Sequence, residues 1–259
     1  MSRFNRDTAG RLTVGGLRLD EIAATHGTPL YVYSGDGIRE DYDNFAAAVA
    51  SVDGMVHFAL KANSAIGVMA LLARQGAGAD IVSGGEMQRA LVAGVPAAKI
   101  VFSGVGKSAG EIGAALDAKI GQINAESTAE VEAISAIAAA RGVTAPVALR
   151  VNVDVDPKTH AKISTGQRST KFGVSTAQNE AADLYRRMAA DPHIRPAGLA
   201  VHIGSQIRDL DPFERAYAAL LDFGTSLRGD GLPVPTLDLG GGIGVDYDTG
   251  AAIDFADYG

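Results

Sequence analysis

The sequence contains no cysteine in its 259 residues. Disulfides, thiolate metal sites and a cysteine nucleophile are therefore excluded within it. Basic charge is also scarce, with 23 Lys and Arg against 30 Asp and Glu, a formal net charge of −7. A nucleic-acid binder needs a basic surface to displace counterions, so no nucleic-acid partner is expected. No apolar run approaches the roughly 18 residues of a membrane span. The opening MSRFNRDTAGRLTVGG holds no continuous apolar segment of signal-peptide type. These absences predict a cytoplasmic chain without a membrane partner. The histidines His26, His57, His160, His193 and His202 form no i, i+4 pair, and H-E-x-x-H does not occur, so no metal site is expected. A G-x-S-x-G nucleophile elbow is missing too. What remains is ordinary globular material, 47% hydrophobic and 20% charged, which excludes wholesale disorder.

Short apolar runs alternate with Ala-rich helical stretches along most of the chain. Seven strands are predicted, at 55–61, 78–83, 99–104, 120–126, 146–152, 196–204 and 236–240. Helical patterns lie at 38–49, 65–75, 85–93, 108–118, 127–141, 177–190 and 212–228. Ser127 with Glu130 three residues on has the spacing of a capping box. The stretch 153–175 shows little periodicity and is expected to be a functional loop. Parallel strands need long crossovers, so this alternation implies an α/β fold. The series favours a parallel (β/α)8 TIM-type barrel over an open doubly wound sheet, and the length suits one such domain. The barrel should have eight strands, and the pattern contains seven. No short-period repeat or low-complexity linker interrupts it.

In a parallel barrel the reactive groups gather at the carboxyl ends of the strands. Polar residues fall there repeatedly: Lys61, Asp80 and Ser83, Ser103 and Gly104, Glu126, Arg150 and Asn152, His202 and Ser205, and the run Gly240, Gly241, Gly242. Lys61 follows the apolar Phe58-Ala59-Leu60, so partial desolvation would favour its neutral, nucleophilic amine. The alternative is a lysine that carries its ammonium out of the strand end to water. His202 follows Ala200-Val201, as either a core histidine or a platform beside a ligand. Side-chain-free backbone in LGGGIGV can aim N–H groups at an anion, or can simply make a tight turn. Neither common phosphate motif fits, because G-x-G-x-x-G from Gly240 would need glycine where Val245 stands, and the Walker pattern ending in Gly106-Lys107-Ser108 would need it at Val101.

TPLYVY at 28–33, FALKAN at 58–63, DIVSGGE at 80–86, FSGVGKS at 102–108, KISTG at 162–166, KFG at 171–173, HIGSQ at 202–206 and LGGGIG at 239–244 occur in one order. Together they resemble the alanine-racemase-like barrel decarboxylases, the family of diaminopimelate, ornithine and arginine decarboxylases. KISTG and HIGSQ resemble the diaminopimelate branch more than the ornithine branch. The resemblance implies a pyridoxal 5′-phosphate (PLP)-dependent carboxy-lyase acting on a small amino acid, in that branch converting meso-diaminopimelate to L-lysine. It implies that Lys61 holds the cofactor aldehyde, that His202 stacks on the pyridine ring and that Gly240, Gly241 and Gly242 with Ser205 cradle the phosphate. Asp80 and Arg150 match polar positions around the cofactor. Residues 1–35 would belong with a C-terminal β-domain, and residues 36–259 would be the PLP-binding barrel. In the family a homodimer shares its active sites, the β-domain supplies a cysteine and a tyrosine to the partner's site, and an eighth strand carries Glu-Pro-Gly-Arg. No EPGR and no cysteine occur here. The expectation is therefore a fragment that lacks the eighth strand and the β-domain and is inactive alone. An ornithine- or lysine-type decarboxylase and a non-catalytic PLP-binding homologue are the alternatives. Loss of the lysine would mark the latter, and Lys61 is present. A racemase is disfavoured, because its lysine is usually followed by a KANAYGHG-like run and this chain has KANSAIGV.

Overall fold

The computed structural model describes residues 3–156, 172–245, 247–249 and 253–259. The motif KISTG and Lys171 of KFG lie outside the described residues. At the N-terminus β1 (Phe4–Arg6), β2 (Leu12–Val14) and β3 (Leu17–Arg18) form a small antiparallel sheet, followed by α1 (Leu19–His26) and α2 (Gly35–Val49). Strands of two or three residues are too short to show a period, which is why the sequence did not announce this sheet.

From there strand and helix alternate: β4 (His57–Ala59), α3 (Ile66–Arg74), β5 (Gly78–Ile81), α4 (Gly84–Val92), β6 (Ile100–Phe102), α5 (Ala109–Asp117), β7 (Gln122–Ala125), α6 (Thr128–Arg141) and β8 (Ala145–Asn152). The series continues through β9 (Val174–Ser175), α7 (Glu180–Ala190), β10 (Ile194–Ala200), α8 (Asp211–Gly229), β11 (Thr236–Asp238) and α9 (Phe255–Tyr258). All seven predicted strands are present. They pair in parallel in the order β11-β10-β8-β7-β6-β5-β4, with β9 attached off this path to the end of β8. The stretch expected to be a loop therefore contains a strand, whose two residues pair Val151↔Val174 and Asn152↔Ser175.

Curling of the sheet follows from one contact. Three strand spacings separate β7 from β11, roughly 14 Å in a flat sheet, yet Asn124 donates to Asp238 at 2.8 Å. Among the described residues β4 and β11 do not pair with each other, so the barrel stands open between them. Every residue of β8 is buried, as expected of a central parallel strand covered on both faces.

Three successive helices begin alike. Ser83, Ser108 and Ser127 each accept the N–H of the glutamate three residues on, which satisfies one orphan donor of the first turn. The reciprocal bond of a capping box forms at Ser108, whose N–H donates to Glu111 at 3.0 Å. At Ser127, where the spacing predicted such a box, Glu130 instead accepts the N–H of Glu126 at 2.7 Å and pairs with Lys107 at 2.8 Å. A buried ammonium is the stronger attraction. Lys107 also donates to the carbonyls of Gly104 and Asn124, at 2.6 and 2.7 Å, so one lysine ties the ends of β6 and β7 to the start of α6.

Candidate active site

The site grows from alternate residues of successive strands, continued into the turns beyond them. At the end of β6, Ser103 donates to Asp80 of β5 at 2.6 Å. Asn124 of β7 donates to Ser103 at 3.1 Å and to Asp238 of β11 at 2.8 Å, and accepts from Gln122 at 2.7 Å. Just beyond β7, buried Glu126 accepts from Arg150 of β8 at 2.8 Å and from the Gly104 N–H at 3.1 Å, both on Oε1. Arg150 also donates to the His202 carbonyl at 3.4 Å, and its guanidinium lies 5.1 Å from the Phe172 ring centroid. The second oxygen of Glu126 is buried with no hydrogen-bond partner among the described residues. A buried acceptor of this kind costs stability unless a ligand or water meets it.

Two groups in this mouth depart far from their ordinary protonation. Burial, with Arg150 and Lys61 adding repulsion, takes His202 down to about 3, against the opposing hydrogen bond from Gly241. The imidazole is neutral. Its Nδ1 accepts the Gly241 N–H at 3.3 Å, so the ring proton is assigned to Nε2. Burial raises Asp80 to about 6, with Asp238 adding to the rise, while the Ser103 hydroxyl, Lys61 and Arg150 oppose it. Leu60, next to Lys61, donates to the Asp80 carbonyl and Arg150 donates to the His202 carbonyl, so all four lie at one end of the barrel, where Lys61 and Arg150 act on both groups.

Lys61 itself sits in the turn after β4 and is exposed, whereas its apolar flank predicted partial desolvation. The flank is spent inward: Leu60 is fully buried and its N–H donates to the Asp80 carbonyl at 2.9 Å. With β4 at the open edge of the sheet, no strand among the described residues covers the lysine from its far side.

The glycine run divides by role. Gly240 and Gly242 have φ of +69° and +111°, and a Cβ would lie 2.3 Å from the Val201 carbonyl and 2.0 Å from that of Gly204. Only glycine permits the loops after β10 and β11 to approach this closely. They bridge through Ile207 and Gly242 at 2.9 Å, and through Gly244 and Ile207 at 2.8 Å. Gly241 faces open space, with nothing within 4 Å of a Cβ. Of the N–H groups expected to face an anion, that of Gly240 is already held by Asp238 at 2.9 Å, while the 3.3 Å bond of Gly241 to a neutral imidazole is long enough to yield to a charged acceptor. Ser205 is exposed at the same rim.

Lys61, Asp80, Arg150, His202, Ser205 and Gly240–Gly242 thus stand around one mouth. Sequence reasoning passed over Asn124 and Asp238 as site residues, although each had a signal, a polar side chain inside an apolar run, QINA and TLD. It met Phe172 only inside the motif KFG and gave it no role.

These donors suit pyridoxal phosphate: an exposed amine, a neutral ring face, an open glycine backbone and an unmet buried carboxylate oxygen lie together. Residues 36–259 match the family model described as "Pyridoxal-dependent decarboxylase, pyridoxal binding domain". A diaminopimelate decarboxylase of Zymomonas mobilis is 47% identical over 241 residues, 92% of this chain and 57% of that protein. The crystal structure of diaminopimelate decarboxylase from Helicobacter pylori complexed with L-lysine matches 93% of this chain and 61% of its own, with a TM-score of 0.89 at 40% identity. That from M. jannaschii in co-complex with L-lysine matches 99% and 61%, with a TM-score of 0.91 at 34% identity. The chain spans 57% of the length of the Zymomonas relative. Among the described residues no helix is long and apolar enough to cross a membrane.

Proposed function

Because this chain belongs to the pyridoxal-dependent decarboxylases, as their pyridoxal-binding domain, we propose that it is the cofactor-holding barrel of an enzyme that decarboxylates meso-diaminopimelate to L-lysine, the last step of lysine biosynthesis. The observation that carries this reading is the meeting of Lys61, neutral His202, Asp80 and Arg150 at one barrel mouth beside an open glycine turn. The names of the relatives and the L-lysine bound in two of them support the substrate.

When bound, pyridoxal phosphate supplies an electron sink for the pair left as the substrate loses CO2. Lys61 would hold its aldehyde carbon, and its exposed amine can give way to the substrate amine. His202 would offer the pyridine ring an uncharged face, its orientation kept by Gly241. Gly241 and Gly242, with Ser205, would take the phosphate. Arg150 pairs with Glu126 at 2.8 Å and acts on Asp80 only through its charge. Residues 1–35 we read as part of a β-domain, and the working enzyme as a cytoplasmic homodimer with shared active sites.

A PLP titration followed by absorbance tests the cofactor. The native protein should develop the shifted band of lysine-bound cofactor, and Lys61→Ala should lose it. Trapped CO2 from meso-diaminopimelate, against ornithine and lysine as rivals, tests the substrate on the full-length protein. Preference for a rival would sink that assignment.

A further inference from the structure

A polar path crosses the barrel beneath the mouth, from β11 to β5, through a single amide. Asn124 is 2% exposed, and its side chain is spent in three directions, toward Asp238, Ser103 and Gln122. Each acidic end of the path reaches a group already placed around the mouth. Asp238 turns its other oxygen to the Gly240 N–H at 2.9 Å. Ser103 passes its one hydrogen to Asp80 at 2.6 Å, beside Lys61.

The order of donors along the path is forced. Two carboxylates offer only acceptors when ionised, and a hydroxyl has one hydrogen. The group between them must bring two hydrogens of its own and an acceptor for Gln122, which a primary amide does. Aspartate at this position would bring no donor, and leucine neither donor nor acceptor. Gly240 is confined by its approach to the Val201 carbonyl, so the point at which Asp238 grips its N–H fixes where the turn begins.

We propose that Asn124 is a positioning residue that holds the Gly240–Gly242 turn and Asp80 in register across the barrel, and thereby sets the affinity for the phosphate end of the cofactor. This rests on the reading of the site given above. Asn124 is buried beneath the mouth and acts through Asp238 and Ser103.

The test compares native protein, Asn124→Asp and the swap Asn124→Asp/Asp238→Asn, all as the full-length protein. Hydrogen–deuterium exchange of residues 239–245 is read without ligand, and PLP affinity is read by titration. Asn124→Asp should speed exchange in this segment and weaken PLP by about tenfold, the loss of one hydrogen bond to a charged group. In the swap, the new amide at 238 donates to the acid at 124 while its carbonyl still accepts from Gly240, but the acid at 124 has no hydrogen for Ser103. Exchange of 239–245 should then return to within about threefold of native, while PLP affinity should recover only part of the loss. Native-like behaviour of Asn124→Asp would overturn the proposal, as would a folded swap no better than the single variant. If Asn124→Asp does not fold, the swap decides alone: native exchange supports the proposal, and free exchange or failure to fold overturns it. A native protein that takes up no PLP would refute the functional reading, while the exchange comparison would still judge Asn124.

Discussion

At the scale of single residues, His202 and Asp80 pull stability in opposite directions with pH. Burial holds His202 at about 3, below the roughly 6.5 of an unfolded chain. Between these values the unfolded state binds the extra proton, so this contribution to stability is lost as pH falls. Asp80 is raised to about 6 from 3.8, so here the folded state binds the extra proton. Its contribution is fully present below about 4 and is lost as pH rises through 6. The two oppose each other across pH 4 to 6. Asp80→Asn removes one and leaves the other. Its stability should climb with pH more steeply than that of the native protein in this window, by up to about 1.4 kcal/mol per pH unit. Urea unfolding midpoints at several pH values measure the slope. Equal slopes would mean that Asp80 binds no more protons folded than unfolded in the window.

Among the elements, β10 shows how a small residue fixes the site at a distance. Its register on β8 shifts between Pro196 and Gly198, a bulge that accommodates a proline without an N–H to give. The sequence pattern started this strand at Pro196, whereas pairing begins at Ile194. A Cβ on Gly198 would lie 2.0 Å from the Thr236 carbonyl, in the seam with β11. Gly198→Ala should therefore cost about 1–3 kcal/mol by overpacking, lower the thermal midpoint, and weaken PLP, because β11 carries Asp238 and leads into the glycine turn. Unchanged melting would show that the seam yields cheaply. The seven strands were legible because each is an apolar run between glycines and helical stretches, and the strand-end residues were legible because a parallel barrel collects them at one face. Three things were not. The link from Asn124 to Asp238 depends on how far the sheet curls, β9 on tertiary pairing to β8, and the exposure of Lys61 on which strand lies at the edge. None is written in local periodicity.

For the whole molecule the decisive feature is the open seam between β4 and β11. Each has one hydrogen-bonded neighbour among the described residues, so each presents unpaired backbone N–H and C=O groups along its outer side. Both are only three residues long, which limits edge-to-edge growth without removing it. Apolar side chains accompany the seam, with Met55 and Leu239 56% and 37% exposed next to the two edge strands. In longer relatives, of which this chain spans 57–61%, additional chain is available to cover such edges. The 259-residue chain prepared alone should consequently show a molecular mass that rises with concentration in light scattering, and no measurable CO2 release from meso-diaminopimelate. Its Lys61 still lies at the same mouth as Asp80 and His202, so it should take up PLP, more weakly than the full-length protein does. A monodisperse monomer with full-length turnover would overturn this. It would mean that Lys61, exposed as it is at the edge, needs no eighth strand to exclude water from the bond being broken.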